Sequence, residues 1–448
     1  MQLTERQIYL LDHTFIDYNS TADFFENPLV IERADGLYYW DTAGKRYFDA
    51  IGGIFVATLG HRHPKVMQAM RDQMEKVTFA PPLHSVTNVL LDFVERVGAV
   101  APGNLKYVKP YSGGSEAVES ALKFARQYFK QTGRPDKYKF ISRYYGYHGA
   151  TFGGMAASGT GPRKSKFAPQ PDGFLKVFPP SYYRDRFGTW AEANRFAAQC
   201  FEDVILHEDP DSVAGIIVEP IGNTGGIITP TGEYFTMLRE ICDRHDVLLI
   251  FDEVITGFAK TGGMFAAQTY GVTPDIICTG KGLSSGATPL GAMIAREDMA
   301  EAFSGQAAGN LHFAHGHTFA GNPLACAVGL AVIQEIVEQD LCAKARRLGE
   351  YLHEKLNCLK KYGVVREVRG KGILLGVEFV KSTRTMEPFP ELGAELKKTA
   401  LEHGIILRID PTWFAVAPPL IAEESDIDEM CELIDASVRT ALNRVRAA

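Results

Sequence analysis

A lysine between two glycines, Gly280-Lys281-Gly282, follows the apolar run Asp275-Ile276-Ile277-Cys278-Thr279. That run reads as a buried strand, so the lysine stands at a carboxyl end of a sheet, where open α/β folds place their ligands. Desolvation there lowers the pKa of the amine, and a neutral amine forms a Schiff base with an aldehyde. An isolated Gly-Lys-Gly also fits a surface turn. A second near-continuous apolar run, 247–252, ends in Asp252-Glu253. A carboxylate at a desolvated strand end is costly unless it faces a cation. A protonated pyridine nitrogen meets that need; a helix cap or a metal-binding acid pair would use the same residues. A third element, Gly113-Gly114-Ser115, opens a helical pattern over 115–130. Free N–H groups and the helix dipole at such a start suit a phosphate, although plain N-capping explains the same letters.

Together with the aromatic cluster Tyr144-Tyr145-Gly146-Tyr147-His148-Gly149, these parts match the needs of pyridoxal 5′-phosphate. Gly114 and Ser115 take the phosphate, Tyr147 stacks on the ring, Asp252 keeps the ring nitrogen protonated, and Lys281, 29 positions further on, holds the aldehyde. The protonated ring is then an electron sink for the carbanion left by Cα–H removal, and the released Lys281 amine shuttles that proton.

Competing chemistries lack their residues. Lys281 is followed by Gly282, so there is no Gly-x-x-x-x-Gly-Lys-Ser/Thr loop, and no Gly-x-Gly-x-x-Gly follows the first strand. His312, His315 and His317 are spaced by three and two, share no helix face and have no acid or cysteine beside them in sequence, so no metal site is expected.

The elements that must hold these residues follow from the 448-residue chain. Hydrophobic residues make up 46% and charged residues 23%, which fits a folded chain of two or three domains. A net charge of −7 offers no basic surface for nucleic acid. Seven scattered cysteines without a Cys-x-x-Cys pair imply a reducing, cytoplasmic setting, and no signal peptide is visible. The least charged stretch, 318–334, contains Asn322 and Pro323, falls short of a membrane span and reads as a buried helix. Strands at 139–142, 213–219, 247–252, 275–279 and 290–295 alternate with helices at 192–207 and 231–245, which predicts a mainly parallel α/β sheet. From about residue 341 the pattern changes to an amphipathic helix (343–359), a hairpin (364–379) and a last helix (426–445). We expect an N-terminal segment (1–54) packed with a C-terminal small domain (331–448) around a large cofactor domain (55–330).

The sequence resembles the class III aminotransferases of the fold-type I pyridoxal-phosphate enzymes over nearly its whole length. The resemblance rests on Asp49-Ala50-Ile51-Gly52-Gly53, Gly60-His61-Arg62-His63-Pro64, 112–123, Tyr147-His148-Gly149, Glu219-Pro220, 249–263, 279–286 and 318–324, in family order. It implies a large, mainly parallel seven-stranded α/β/α domain and a smaller α+β domain built from both chain ends. By the same resemblance Lys281 is the Schiff-base lysine, Asp252 the pyridinium partner, and Val254 packs on the ring face opposite Tyr147. Gly113, Gly114 and Ser115 take the phosphate, with His148 and Glu219 also at the cofactor. A threonine like Thr318 comes from the neighbouring subunit, so a homodimer or tetramer is implied.

Departures from the family bear on the substrate. Ile221-Gly222-Asn223-Thr224-Gly225-Gly226 lacks the acid that 4-aminobutyrate-type relatives carry, which disfavours 2-oxoglutarate as acceptor. The position that often carries a carboxylate-binding arginine is Ala415, and Ala422-Glu423-Glu424 supplies no later one. Arg408 and Arg163 are the alternatives for that task. Phe55 and Trp413-Phe414 suggest an aromatic substrate pocket, with core packing as the other reading. The stretch 368–378, followed by Arg384-Thr385 and Glu387-Pro388, is similar to dialkylglycine decarboxylase. The resemblance implies an ω-transaminase that moves an amino group from a primary amine or ω-amino acid to pyruvate or a similar small oxo acid. A decarboxylating transaminase, an aminomutase and an idle cofactor-binding protein are the rivals.

Overall fold

The structure, a computed structural model, describes residues 3–304 and 311–447. Three N-terminal strands come first: β1 (Ile31–Asp35), β2 (Tyr38–Asp41) and β3 (Arg46–Asp49). Seven follow: β4 (Leu105–Tyr111), β5 (Lys139–Arg143), β6 (Phe174–Val177), β7 (Val213–Val218), β8 (Leu248–Asp252), β9 (Ile276–Thr279) and β10 (Gly291–Arg296). The last five are β11 (Val365–Lys371), β12 (Leu374–Phe379), β13 (Ile405–Ile406), β14 (Arg408–Asp410) and β15 (Trp413–Val416).

The central seven form one sheet in the order β4-β10-β9-β8-β7-β5-β6. Only β10 runs against its neighbours, so the other six strands end on the same edge. Every residue of β7 and β8 is buried, which fits the unbroken apolar runs Val213–Val218 and Leu248–Asp252: a parallel strand covered on both faces has no solvent side. The covering helices carry their start signals in sequence. Thr189 and Glu192 form a capping box at Trp190–His207, and Thr231 caps Gly232–Arg244 through the Tyr234 N–H.

β4 and β6 were not apparent from the sequence, for reasons their positions explain. Both lie at sheet edges, where the apolar pattern is weakest. In β4, Lys106 is exposed and Lys109 only half-buried, and Pro110 would argue against any central strand. The stretch 318–334 splits into a turn and a helix, Pro323–Glu338, whose N-terminus Asn322 caps through the Ala325 N–H. Among the described residues no helix is long and apolar enough to cross a membrane.

The two chain ends meet in a second sheet. β1, β2 and β3 form an antiparallel meander, and β3 pairs in parallel with β13, Phe48 opposite Ile405. A third, antiparallel sheet has the order β11-β12-β15-β14. In it Arg408 lies directly across from Ala415.

Candidate active site

The common edge of the six like-directed strands opens into a cavity of about 170 Å³. Each wall is the first turn beyond a strand: Gly114 and Ser115 after β4, Tyr147 and His148 after β5, Glu219 after β7, Val254 after β8 and Lys281 after β9, with Asp252 as the last residue of β8. Loops at carboxyl ends of parallel strands thus bring together residues that span positions 114–281.

Lys281 has φ +41°, a left-handed conformation that few non-glycine residues adopt. The glycines around it answer to close packing. A Cβ on Gly280 would lie 3.2 Å from the Gly114 nitrogen, and one on Gly282 would lie 2.7 Å from Thr58 Oγ1. The lysine side chain is partly open to the cavity, and its amine makes no hydrogen bond among the described residues. Desolvation pushes its pKa down, against the attraction of Asp252 and Glu219. The amine is therefore closer to neutrality than an ordinary lysine, as a nucleophile toward an aldehyde must be.

Asp252 is 5% exposed and held from two sides. Its Oδ2 lies 2.8 Å from His148 Nδ1, and its Oδ1 accepts the Val254 N–H at 3.2 Å. His148 is itself buried, and its backbone N–H donates to Ser158 Oγ at 2.8 Å. A carboxylate fixed in this way cannot swing away from a cation placed before it. Glu219 Oε2 accepts the Tyr147 N–H at 3.2 Å, and Oε1 accepts that of Asn223 at 3.4 Å. Burial pushes the Glu219 pKa up, with the Asp252 charge adding to the effect and His148 and Arg143 opposing it. Arg143 donates to the Glu219 carbonyl oxygen from beneath.

The helix Gly114–Gln131 begins at the cavity, and its N-cap, Gly113, offers no side chain to cap it. Its first-turn amides are thus presented without a side-chain acceptor, as phosphate binding at a helix start requires. Gly114 is obligatory for steric reasons, because a Cβ there would lie 2.7 Å from both methyls of Val254. Ser115 Oγ accepts the Ala150 N–H at 3.1 Å and so ties the helix start to the loop beyond Tyr147. An aldehyde-bearing phosphopyridine fits this donor set: amides for its phosphate, a fixed carboxylate for its ring nitrogen, an aromatic and a branched aliphatic side chain for its faces, and an unpaired amine for its aldehyde.

Not every expected residue lies here. Gly113 stands behind the cavity wall, where its carbonyl packs on Gly291, and a Cβ at Gly291 would be 2.5 Å from it. Phe55, expected at a substrate pocket, is instead fully buried core with φ +65° and does not reach the cavity. Trp413 is likewise buried, against Gly226, because β15 is an inner strand of its sheet. Arg408 stacks over the Trp413 ring at 5.7 Å and pairs with Asp410 at 2.6 Å, so its charge is already engaged. Thr318 is exposed, in the turn before Pro323–Glu338, and does not line the cavity of its own chain. The histidine group also differs from expectation: His317 lies 3.5 Å from Glu116, an acid 201 positions away that no local spacing could show. No cluster fit to hold a metal occurs among the described residues.

Two contributors, Tyr18 and Lys260, were missed by sequence reasoning. Tyr18 donates to or accepts from the Tyr147 hydroxyl at 3.0 Å across 129 positions, with no local motif to announce it. Arg163, which the sequence offered as an alternative carboxylate anchor, stacks on both rings. Lys260 is buried beside the site, hydrogen-bonded to Thr58 Oγ1 at 3.3 Å. Burial, assisted by the Lys281 charge and opposed by Asp49, pushes its pKa down to about 8. It lies within the recognisable run 249–263, where a lysine between Ala259 and Thr261 was the available signal.

The chain is 39% identical over 428 residues to a protein of Mycobacterium tuberculosis described as a probable aminotransferase, covering 94% of this chain and 91% of that one. It is 31% identical over 445 residues to the putrescine–pyruvate aminotransferase of Pseudomonas aeruginosa, covering 97% and 94%. Its structure superposes with TM-score 0.91 on an amine transaminase from an uncultivated Pseudomonas species, solved with PLP bound, at 32% identity and with 96% and 98% of the two chains covered. Residues 21–438 match the aminotransferase class-III family, and with that the chain belongs to the class III aminotransferases, fold-type I enzymes that use pyridoxal 5′-phosphate.

Proposed function

We propose that this aminotransferase is an ω-transaminase, taking the amino group of a primary amine or ω-amino acid and delivering it to pyruvate or a similar small oxo acid. The observation that carries the reading is Ala415, fully buried on β15 where a carboxylate-anchoring arginine would be needed for α-amino-acid donors. With alanine there, the chain supplies no guanidinium at that position for a carboxylate next to the reacting carbon. The relative that acts on putrescine and pyruvate supports the same substrate pairing.

When bound, the cofactor supplies an aldehyde to capture the amine and a protonated ring to take up the electron pair released at Cα. The rest belongs to the chain. Lys281 would hold the cofactor's aldehyde, and its amine, when free, would be the group that moves the proton at the donor Cα. Asp252 keeps the ring nitrogen protonated, and His148 is the positioning residue that fixes its Oδ2. Tyr147 and Val254 confine the ring from either face. The start of the helix at Gly114 and Ser115 would bind the phosphate, and Glu219 fixes the backbone of Tyr147. Thr318 of a second copy completes the phosphate site in a homodimer.

The test is product balance. With a carboxylate-free primary amine and pyruvate, alanine and the carbonyl product should appear in equal amounts and without CO₂. Release of CO₂ from a dialkyl amino acid would point to the decarboxylating rival, and product formed without any acceptor to an aminomutase.

A further inference from the structure

Cys358 and Cys431 line one surface groove of about 420 Å³, far from the cofactor cavity in sequence and sharing no wall with it. Among the described residues, which include all seven cysteines, Cys358 alone is exposed. It stands directly after the helix Leu341–Asn357 and opens a short helical turn that ends at Tyr362. Cys431 is half-buried on the last helix, Glu424–Ala447. The two helices run side by side in the same direction, because their contacts climb both segments together: Arg347 with Glu424, Tyr351 with Asp428, Tyr362 with Asp435. Tyr362 and Asp435 are 73 positions apart and bonded at 3.1 Å. Lys355 and Asp428 have the same separation and pair at 2.6 Å. Cys358 and Cys431 share it too, and fall between these two contacts on both segments. Lys361 reinforces the second contact by pairing with Asp435 at 2.6 Å. Bonds about one helical turn before and after the cysteines thus hold the two backbones in register at their level. Burial pushes the Cys431 thiol up to about 12, with Lys355 opposing and Asp428 and Cys358 adding to the effect.

We infer that Cys358 and Cys431 form a reversible disulfide on exposure to a peroxide, stapling the last helix to the end of the helix Leu341–Asn357. The chemistry divides between an exposed sulfur and a half-buried one. The Cys358 thiolate, open to solvent, takes one oxygen of the peroxide; the O–O bond breaks, and the other oxygen leaves as hydroxide and picks up a proton to become water. The Cys431 sulfur then attacks the sulfenic acid on Cys358. The S–S bond forms, the S–O bond breaks, and the hydroxyl departs as water with the Cys431 proton. Two thiols and one peroxide give one disulfide and two waters, the sulfurs losing the two electrons that the peroxide gains. Burial keeps Cys431 protonated, which makes it a poor target for the peroxide and leaves it as the second sulfur. The cross-link closes the chain between the two cysteines into a loop and so restricts the unfolded state. The inference is independent of the transaminase reading, since neither cysteine lines the cofactor cavity.

The test is a mass. The holoenzyme is treated with hydrogen peroxide in slight excess, and its intact mass is recorded before and after a reducing dithiol. The wild type should lose about 2 Da, the two thiol hydrogens, and regain them on reduction. Digestion without reductant should yield one peptide pair, joined through Cys358 and Cys431. In Cys431→Ser the reaction should stop at Cys358, with a gain of about 16 Da for each oxygen taken up. In Cys358→Ser, a change at an exposed position, no cross-link should form. Thermal unfolding supplies a second readout: oxidation should raise the midpoint by a few degrees in the wild type and leave that of Cys358→Ser where it was. A wild type that gathers oxygen on Cys358 without losing the two hydrogens overturns the inference. So does a cross-link that joins the Cys358 residues of two copies, or one that persists in Cys431→Ser.

Discussion

The floor of the cavity and its rim are built on opposite plans. On the floor, Asp252, Glu219 and His148 are all at least nine-tenths buried, each has hydrogen-bond partners, and each sits at or just beyond the end of a strand in one sheet. At the rim, Tyr18, Tyr147 and Arg163 come from chain segments up to 145 positions apart and meet through rings and their faces. A buried polar network is expensive to leave half-satisfied, so the floor can tolerate little change. The rim costs little to alter. The division suits an enzyme whose chemistry is fixed by its cofactor while its substrates are chosen elsewhere.

That contrast can be broken most severely at Lys281. Lys281→Ala should abolish turnover with every donor and acceptor and remove the visible absorbance of the lysine-bound cofactor. Normal turnover in this variant would end the assignment of its role. Asp252→Asn keeps the shape but loses the charge opposite the ring nitrogen. Steady-state kinetics should show kcat falling about 100- to 1,000-fold, equally for pyruvate and propanal. A loss confined to pyruvate would mean that floor and rim are not separate in function.

The smallest effect is on stability and concerns Lys260, a buried cation beside the floor. Its folded-state pKa of about 8 lies below the ordinary 10.5, so the folded protein releases this proton before the unfolded chain does. Below about pH 8 both states carry the charge and the burial penalty is fully present. The penalty fades as pH rises above about 8 and is gone well above 10.5, where neither state is charged. Lys260→Met should therefore raise the thermal unfolding midpoint at pH 7, by an amount corresponding to roughly 3 kcal/mol or less, and should gain less at pH 9.5. A lower midpoint at pH 7 would show that Thr58 and Asp49 compensate Lys260 in full.

How far the sequence could be read follows the same division. Lys281, Asp252 and the Gly113-Gly114-Ser115 turn were legible because each is announced within about ten residues by a strand ending or a helix beginning. The parallel core was legible for a related reason: strands buried on both faces, such as β7 and β8, are unbroken apolar runs. Edge strands β4 and β6 lack that signature. At the rim, the meeting of Tyr18 with Tyr147 had no local signal, since the two are joined only by the fold. The aromatic residues proposed for the pocket show the limit from the other side. Phe55 and Trp413 have the composition of a substrate wall, yet both pack inward, because an aromatic side chain is as useful to a core as to a ligand.

The central claim is that one lysine and one fixed carboxylate serve amine and oxo acid in turn. The most direct measurement is the visible spectrum of the holoenzyme, recorded first alone, then with a carboxylate-free primary amine, then with pyruvate. The account predicts that the amine bleaches the band of the lysine-bound aldehyde in favour of the amino form of the cofactor, and that pyruvate restores it. A band that ignores the amine and answers only to α-amino acids would contradict it.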